Sequence, residues 1–381
     1  MRKNVLAFLL LPLGALAYAC SGDDDGGGGG GGVDAGSDVS VTPKDSSTDS
    51  PFVFPDGGGD GGTDGGPKDG GDGGPKDGGD GGDGGFPFPL IDGSAVTTLI
   101  DEAGFSFLDG VTFYQNQVVF SDVFGSRWSL NPDGGSIVNQ DVAGNTTPIG
   151  SAVDPRDGGA LFTAFQDQKR VIKGTASFST GPAAGFNQPN DLVIRSDGLV
   201  FVSDPYNYTV PVGNAGVYTI PAAGGTATLA QDLGTDDANG IALSADEKTL
   251  YVGLANLHLI KKYTVAANGT LSGAANFADT GANTVPDGFA MDDAGNLYVA
   301  IGTCAAACGA TPVFTGAKVF VYSPAGTKLG EIAVPKFPAV SLGFGTADRK
   351  TLFIAAGDAN INAATNFPAI YRVRVAVPGK P

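Results

Sequence analysis

One short motif returns six times along this chain. At Pro189-Asn190-Asp191 a polar pair leads an apolar run, Leu192-Val193-Ile194; a turn at Ser196-Asp197-Gly198 and a second run, Leu199-Val200-Phe201-Val202, complete it. A polar leader, a strand, an Asp-Gly turn and a second strand make one hairpin unit. Asn239-Gly240, Asp287-Gly288 and Asp109-Gly110 open clear copies, and Ile149-Gly150 and Val340-Ser341 open weaker ones. The leading positions are 109, 149, 190, 239, 287 and 340, spaced 40 to 53 residues apart. Short strands repeating at that period predict an all-β fold, a β-propeller, and six copies predict six blades.

The repeats occupy only part of the chain. Residues 1–20 read as an export signal: Arg2 and Lys3 precede an apolar run from Val5 to Ala19. That run is shorter than the roughly 20 residues that cross a bilayer. Ala17-Tyr18-Ala19 suits ordinary secretion, and Ala19-Cys20 suits a lipoprotein junction with a lipid on Cys20. The cysteines favour the second. Cys304 and Cys308 sit four apart and can close a short disulfide in an oxidising compartment, which leaves Cys20 where lipid would attach. The expected location is therefore the cell envelope, periplasmic or outer-surface, with free secretion as the alternative.

Residues 21–90 are dominated by Gly, Asp, Ser and Pro, with PKDGGDGG at Pro67 and again at Pro75. Fifteen Asp against three Lys between Ser21 and Phe86 supply most of the chain's net charge of −18. So little apolar surface predicts a disordered tether. A calcium-binding nonapeptide roll would need a regular apolar position, and these repeats have none. Residues 91–381 then form the propeller, closed by pairing Ala95–Ile100 with Ile370–Val375.

Composition narrows the chemistry. The acidic domain excludes a nucleic-acid backbone as partner. His258 is the single histidine, in Leu257-His258-Leu259-Ile260, and is read as an edge-strand residue away from the axis. That leaves no Ser-His-Asp system, and no His/Cys cluster has zinc spacing. What remains is the ring of leaders. In a propeller the innermost strands start at one face around a central channel, so Asp109, Asn190, Asn239 and Asp287 converge there. Two carboxylates and two amides are hard oxygen donors suited to Ca²⁺, Mg²⁺ or Mn²⁺. Asn and Asp before Gly are also ordinary turn formers; four copies in phase are less easily explained that way.

These motifs carry a family resemblance. Phe107-Leu108-Asp109-Gly110 with Phe120-Ser121-Asp122, the stretch Asn187 to Pro205, Ala238-Asn239-Gly240-Ile241-Ala242, Pro286-Asp287-Gly288, Leu329-Gly330-Glu331-Ile332 with Phe344-Gly345, and Tyr371-Arg372-Val373-Arg374 follow in order. Together they resemble the senescence marker protein/gluconolactonase (regucalcin-like) family over about residues 96 to 377. The resemblance implies one divalent cation, Ca²⁺ first with Mg²⁺, Mn²⁺ or Zn²⁺ as alternatives. Asp109, Asn239 and Asp287 would hold it, with Asn190 and Asp191 nearby toward substrate. It implies hydrolysis of a lactone or related ester, with Asp287 also taking a proton from water, by a monomer.

The chain departs from the family pattern in several places. Asp109 stands for Glu, Gly110-Val111 for Gly-Pro, Gln166-Asp167 for Glu-His, and Ser341 for a sixth-blade Asn. Leu254-Ala255-Asn256 lacks a fourth-blade Glu, and residues 302–316 are an insertion around the cysteine pair. The competing reading is a non-catalytic propeller that binds a ligand or an envelope protein through loops 302–316 or 204–215.

Overall fold

The computed structural model describes residues 91–380 apart from 92, 102–103, 141–145, 157–158, 208–210, 309–312, 337 and 358–366. The expected export signal, Cys20 and the whole of the tether lie outside the described residues.

Within them, six four-stranded antiparallel sheets follow one another as blades. Five are meanders of consecutive strands. The sixth joins Ala339–Gly345, Thr351–Ala356 and Ala369–Arg374 to a strand from the other end of the domain, Thr97–Asp101. Thr97 faces Arg372 and Ile100 faces Ile370, the closure expected from the sequence. Pairing the two ends removes a free edge and locks the ring.

The strand sequences explain their places. Second strands are covered on both faces by neighbouring blades, so Leu161–Phe165, Val200–Asp204 and Thr351–Ala356 are buried throughout. Outer strands meet solvent: both residues of Val138–Asn139 are exposed, and Thr228–Gly234 is mostly polar and open. The core is accordingly divided among the blade junctions. Phe162, Phe186, Leu192, Val200 and Tyr218 fill that between the second and third blades. Leu108, Val111, Phe120, Phe353 and Ile370 fill that between the sixth and first, where Trp128 packs alongside and Phe113 stacks on Phe353 with centroids 6.1 Å apart.

One placement differs from the sequence reading. His258 is not in a strand. It ends a 3-10 turn, Ala255–Leu257, with a left-handed φ of 56°, and its Nδ1 lies 2.5 Å from the Thr284 carbonyl oxygen. The alternation of Leu257, His258 and Leu259 imitates a strand that begins only at Leu259. Beyond the last strand, residues 375–380 run under the hairpin face. Asp293 N donates to Pro378 O, Gly379 N to Arg349 O and Lys380 N to Met291 O, at 2.7–2.8 Å. Lys380 Nζ reaches Ser244 O at 3.1 Å, so this strap binds the sixth, fifth and fourth blades together.

Candidate functional site

The leading residues sit where the inner strands lose their ladder register. The break falls between Asp109 and Thr112, Pro148 and Ser151, Ala238 and Ile241, Pro286 and Phe289, and Ala339 and Ser341. Bulges at the same height turn backbone and side chains out of the pleat, a common device beside functional sites. They also let the inner strands crowd together. A Cβ on Gly110 would lie 1.8 Å from Ile149 O, and one on Gly240 would lie 2.1 Å from Asp287 O. Both backbones therefore come closer than any other residue type allows.

Four residues following the leaders are glycines: Gly110, Gly150, Gly240 and Gly288. The other two are Asp191 in the third blade and Ser341 in the sixth, opposite each other in a six-membered ring. They behave alike. Asp191 Oδ2 accepts from Ile241 N of the next blade at 3.4 Å, and Ser341 Oγ accepts from Val111 N of the next blade at 3.1 Å. Asp191 Oδ1 also takes its neighbour Leu192 N at 2.8 Å, and its own N–H goes to Ser203 Oγ at 3.0 Å.

Asp109, Asn190, Asn239 and Asp287 are all buried. Asp109 Oδ1 accepts from Gly110 N at 2.6 Å. The Ser341 side chain favours the ionised form of Asp109, and the Asn239 amide and the Gly288 backbone favour that of Asp287. Asn239 Oδ1 is buried with no donor among the described residues. Asn190 holds its place through the backbone, donating to Ser203 O and accepting from Gly150 N at 2.9 Å each.

Charge is crowded here. Burial, and then the Asp109 and Asp191 charges, push Asp287 well above the usual carboxylate range. Burial raises Asp109 as well, against the pull of Gly110 N–H and Ser341. Asp191 is pushed up to about 7 by burial and by Asp109. Asp191 lies deep in the protein yet keeps part of its surface open, because it lines a cavity that opens to solvent. Among the described residues no cationic side chain offsets any of the three. Like charges at such range cannot all ionise without a positive partner.

Below the ring runs that cavity, of about 270 Å³, walled by all six inner strands. Thr112, Ser151, Asp191 and Ser341 give it polar groups, Phe289 and Phe344 apolar ones, and Glu247 and Lys380 belong to its lining from the hairpin face.

A divalent cation fits this donor set. The orphaned Asn239 Oδ1 lacks only a positive partner, and the two flanking carboxylates lack compensation; both are what a hard cation supplies. Among the described residues no three His, Cys, Asp or Glu side chains gather as a metal cluster.

The other candidates lie elsewhere. Cys304 and Cys308 are joined, Cα atoms 5.6 Å apart, and pack with Ala255, Val285 and Phe314. Gln166 is buried in the second blade with Nε2 unpartnered among the described residues, and Asp167 N donates to Thr147 Oγ1. Asn187 secures the 204–215 loop, accepting from Val212 N and donating to Asn214 O. Cys20 lies outside the described residues. Sequence reasoning gave Ser341 no role at the site; its signals were that it breaks the glycine pattern and stands where the family resemblance has Asn.

Comparison with known proteins agrees with this architecture. A family model described as SMP-30/Gluconolactonase/LRE-like region matches residues 109–358. Lactonase drp35 of Staphylococcus aureus strain MW2 is 26% identical over 273 residues, 65% of this chain and 78% of the relative. A gluconolactonase of Zymomonas mobilis is 30% identical over 189 residues, 45% of this chain and 48% of that protein. Among solved structures, a gluconolactonase from Xanthomonas campestris superposes with a TM-score of 0.61 at 24% identity, covering 75% of this chain and 91% of the other. Regucalcin, a calcium-binding protein from Agrobacterium tumefaciens, gives 0.57 at 16%, covering 74% and 94%. At those identities the structural likeness speaks for the fold alone.

Proposed function

The chain belongs to the SMP-30/gluconolactonase/LRE-like family, and from that premise we propose that it is a divalent-cation-dependent hydrolase of lactones or related esters. The observation that carries the reading is Asn239 Oδ1, buried without a donor between uncompensated carboxylates. Asp109, Asn239 and Asp287 would hold the cation, with Ca²⁺ the expected ion. When bound, such an ion polarises an ester carbonyl and makes a bound water more acidic.

The remaining steps belong to side chains. Asn190 offers an amide to the lactone's polar groups. Asp287, ionised beside the cation, would take the proton that water loses on attack and return it to the ring oxygen as the acyl C–O bond breaks. Asp109 keeps its position throughout, bonded to Gly110 N. Asp191, fixed by Leu192 N and Ile241 N, contributes a second buried acid at the cavity end. The product is the open-chain hydroxy acid. Export, lipid attachment at Cys20 and a monomeric state complete the proposal, supported by the sequence of residues 1–20 and the closed ring.

The test is metal content and a lactone panel on the purified protein. Chelation should abolish hydrolysis and added Ca²⁺ should restore it. A cation bound without turnover on any lactone would favour the ligand-binding alternative.

A further inference from the structure

We infer that the axial cavity is a second small-molecule site, open on the hairpin face, and that it takes a neutral polyhydroxylated compound the size of a pentitol or hexose. The inference does not depend on the cation site proposed above. A hydrogen-bonded chain on the second-blade wall sets the chemistry. Arg127 is 8% exposed and carries only donors, and its Nη1 donates to Thr163 Oγ1 at 2.9 Å. Thr163 is fully buried, and among the described residues Ser151 Oγ, 3.0 Å away, is the acceptor within reach of its proton. Buried hydroxyls make the bonds open to them, so the proton runs from Thr163 to Ser151. Ser151, half-buried in the cavity wall, then has no acceptor for its own proton among the described residues and presents it to the cavity.

The fourth and fifth blades are apolar at this place. There the first ladder residue past the bulge is Ile241 or Phe289, facing Val252 or Val299; in the second blade it is Ser151, facing Thr163. An acceptor adjoins this donor. A Cβ on Gly150 would lie 2.7 Å from Asp191 Oδ1, so the third-blade carboxylate lies against the residue that precedes Ser151. Asp191 takes backbone N–H groups from Leu192 and Ile241, which leaves about two of a carboxylate's roughly four acceptor positions. A donor beside an acceptor suits neighbouring hydroxyls, one accepting from Ser151 and the next donating to Asp191. Phe289 and Phe344 offer apolar surface to the carbon chain. At the mouth, Lys380 Nζ donates to Ser244 O at 3.1 Å and lies 4.0 Å from Glu247 Oε1, so its charge is already matched and does not call for an anionic ligand. The volume of about 270 Å³ is near the lower end for small-molecule sites.

Calorimetric titration of the full-length protein with D-xylose, sorbitol and gluconate, all in EDTA, tests this. With divalent cations removed, a cation at the ring of leaders contributes nothing to the binding. Xylose or sorbitol should bind, and gluconate should bind about tenfold more weakly or worse, because its charge meets Asp191. Ser151→Ala and the near-isosteric Thr163→Val should each weaken the neutral polyols about three- to tenfold, the worth of one hydrogen bond. Thr163→Ser, which keeps the hydroxyl, should bind as the wild type does. Ser151→Ala, on the cavity surface, carries the test should Thr163→Val lower the thermal midpoint. No binding of either polyol in EDTA, gluconate binding as tightly as sorbitol, or wild-type polyol affinity in Ser151→Ala would each overturn the inference. All three results would leave the proposed function standing, since that is read by hydrolysis with Ca²⁺ restored.

Discussion

Asp287 is surrounded by groups that oppose its ionisation and two that support it. Burial and the Asp109 and Asp191 charges hold its proton on; Asn239 and Gly288 N–H favour the anion. Asp287→Asn keeps the shape and removes the acid. Lactone hydrolysis in that variant is expected to fall at least about 100-fold with an unchanged circular dichroism spectrum. A second buried acid gives a pH prediction away from the site. Asp204 accepts from Asn187 N at 2.8 Å and Gln188 N at 2.7 Å, yet burial pushes it up to about 7. Unfolded, it titrates near 4. Its contribution to stability is thus full below pH 4 and is lost as pH rises through 7. The difference in urea midpoint between wild type and Asp204→Asn, followed from pH 4 to 8, should change across that window. At this scale the sequence exposed the polar leaders but not the Ser341 bond. Side-chain hydrogen bonding across 230 residues leaves no periodic trace. The departures from the family pattern at Val111 and Ser341 looked independent in the sequence and are joined by a hydrogen bond in the structure.

The inner strand with its bulge is the element that makes the site. Its glycines are legible as a repeat, but the reason for them is contact between neighbouring strands rather than turn formation alone. Gly240→Ala would drive a methyl group into the Asp287 carbonyl. Because the obstacle is backbone, a loss of about 1–3 kcal/mol or more is expected in denaturant unfolding, together with weakened Ca²⁺ binding. First and second strands could be read from sequence because each is a short apolar run before or after a turn. Outer strands could not, since half-exposed segments such as Thr228–Gly234 carry no clear alternation. The His258 segment misled for the opposite reason: its alternation is strand-like, and only the backbone shows the turn.

The ring as a whole depends on its seam. Phe353 is fully buried there and stacks against Phe113. Phe353→Ala should lower stability by about 3–5 kcal/mol, read as a shift in urea midpoint. The C-terminal strap was not legible, since Val-Pro-Gly-Lys-Pro reads as a loose tail and its bonds are to distant backbone. Closure itself has a consequence for biosynthesis. Thr97 is among the first folded residues to leave the ribosome, and Arg372, its partner, follows 275 residues later. Until then the nascent chain carries five finished sheets and a sixth whose edge is still bare, the kind of edge that recruits other chains. A premature stop only a dozen residues early would therefore yield a sticky open arc rather than a slightly shortened disc.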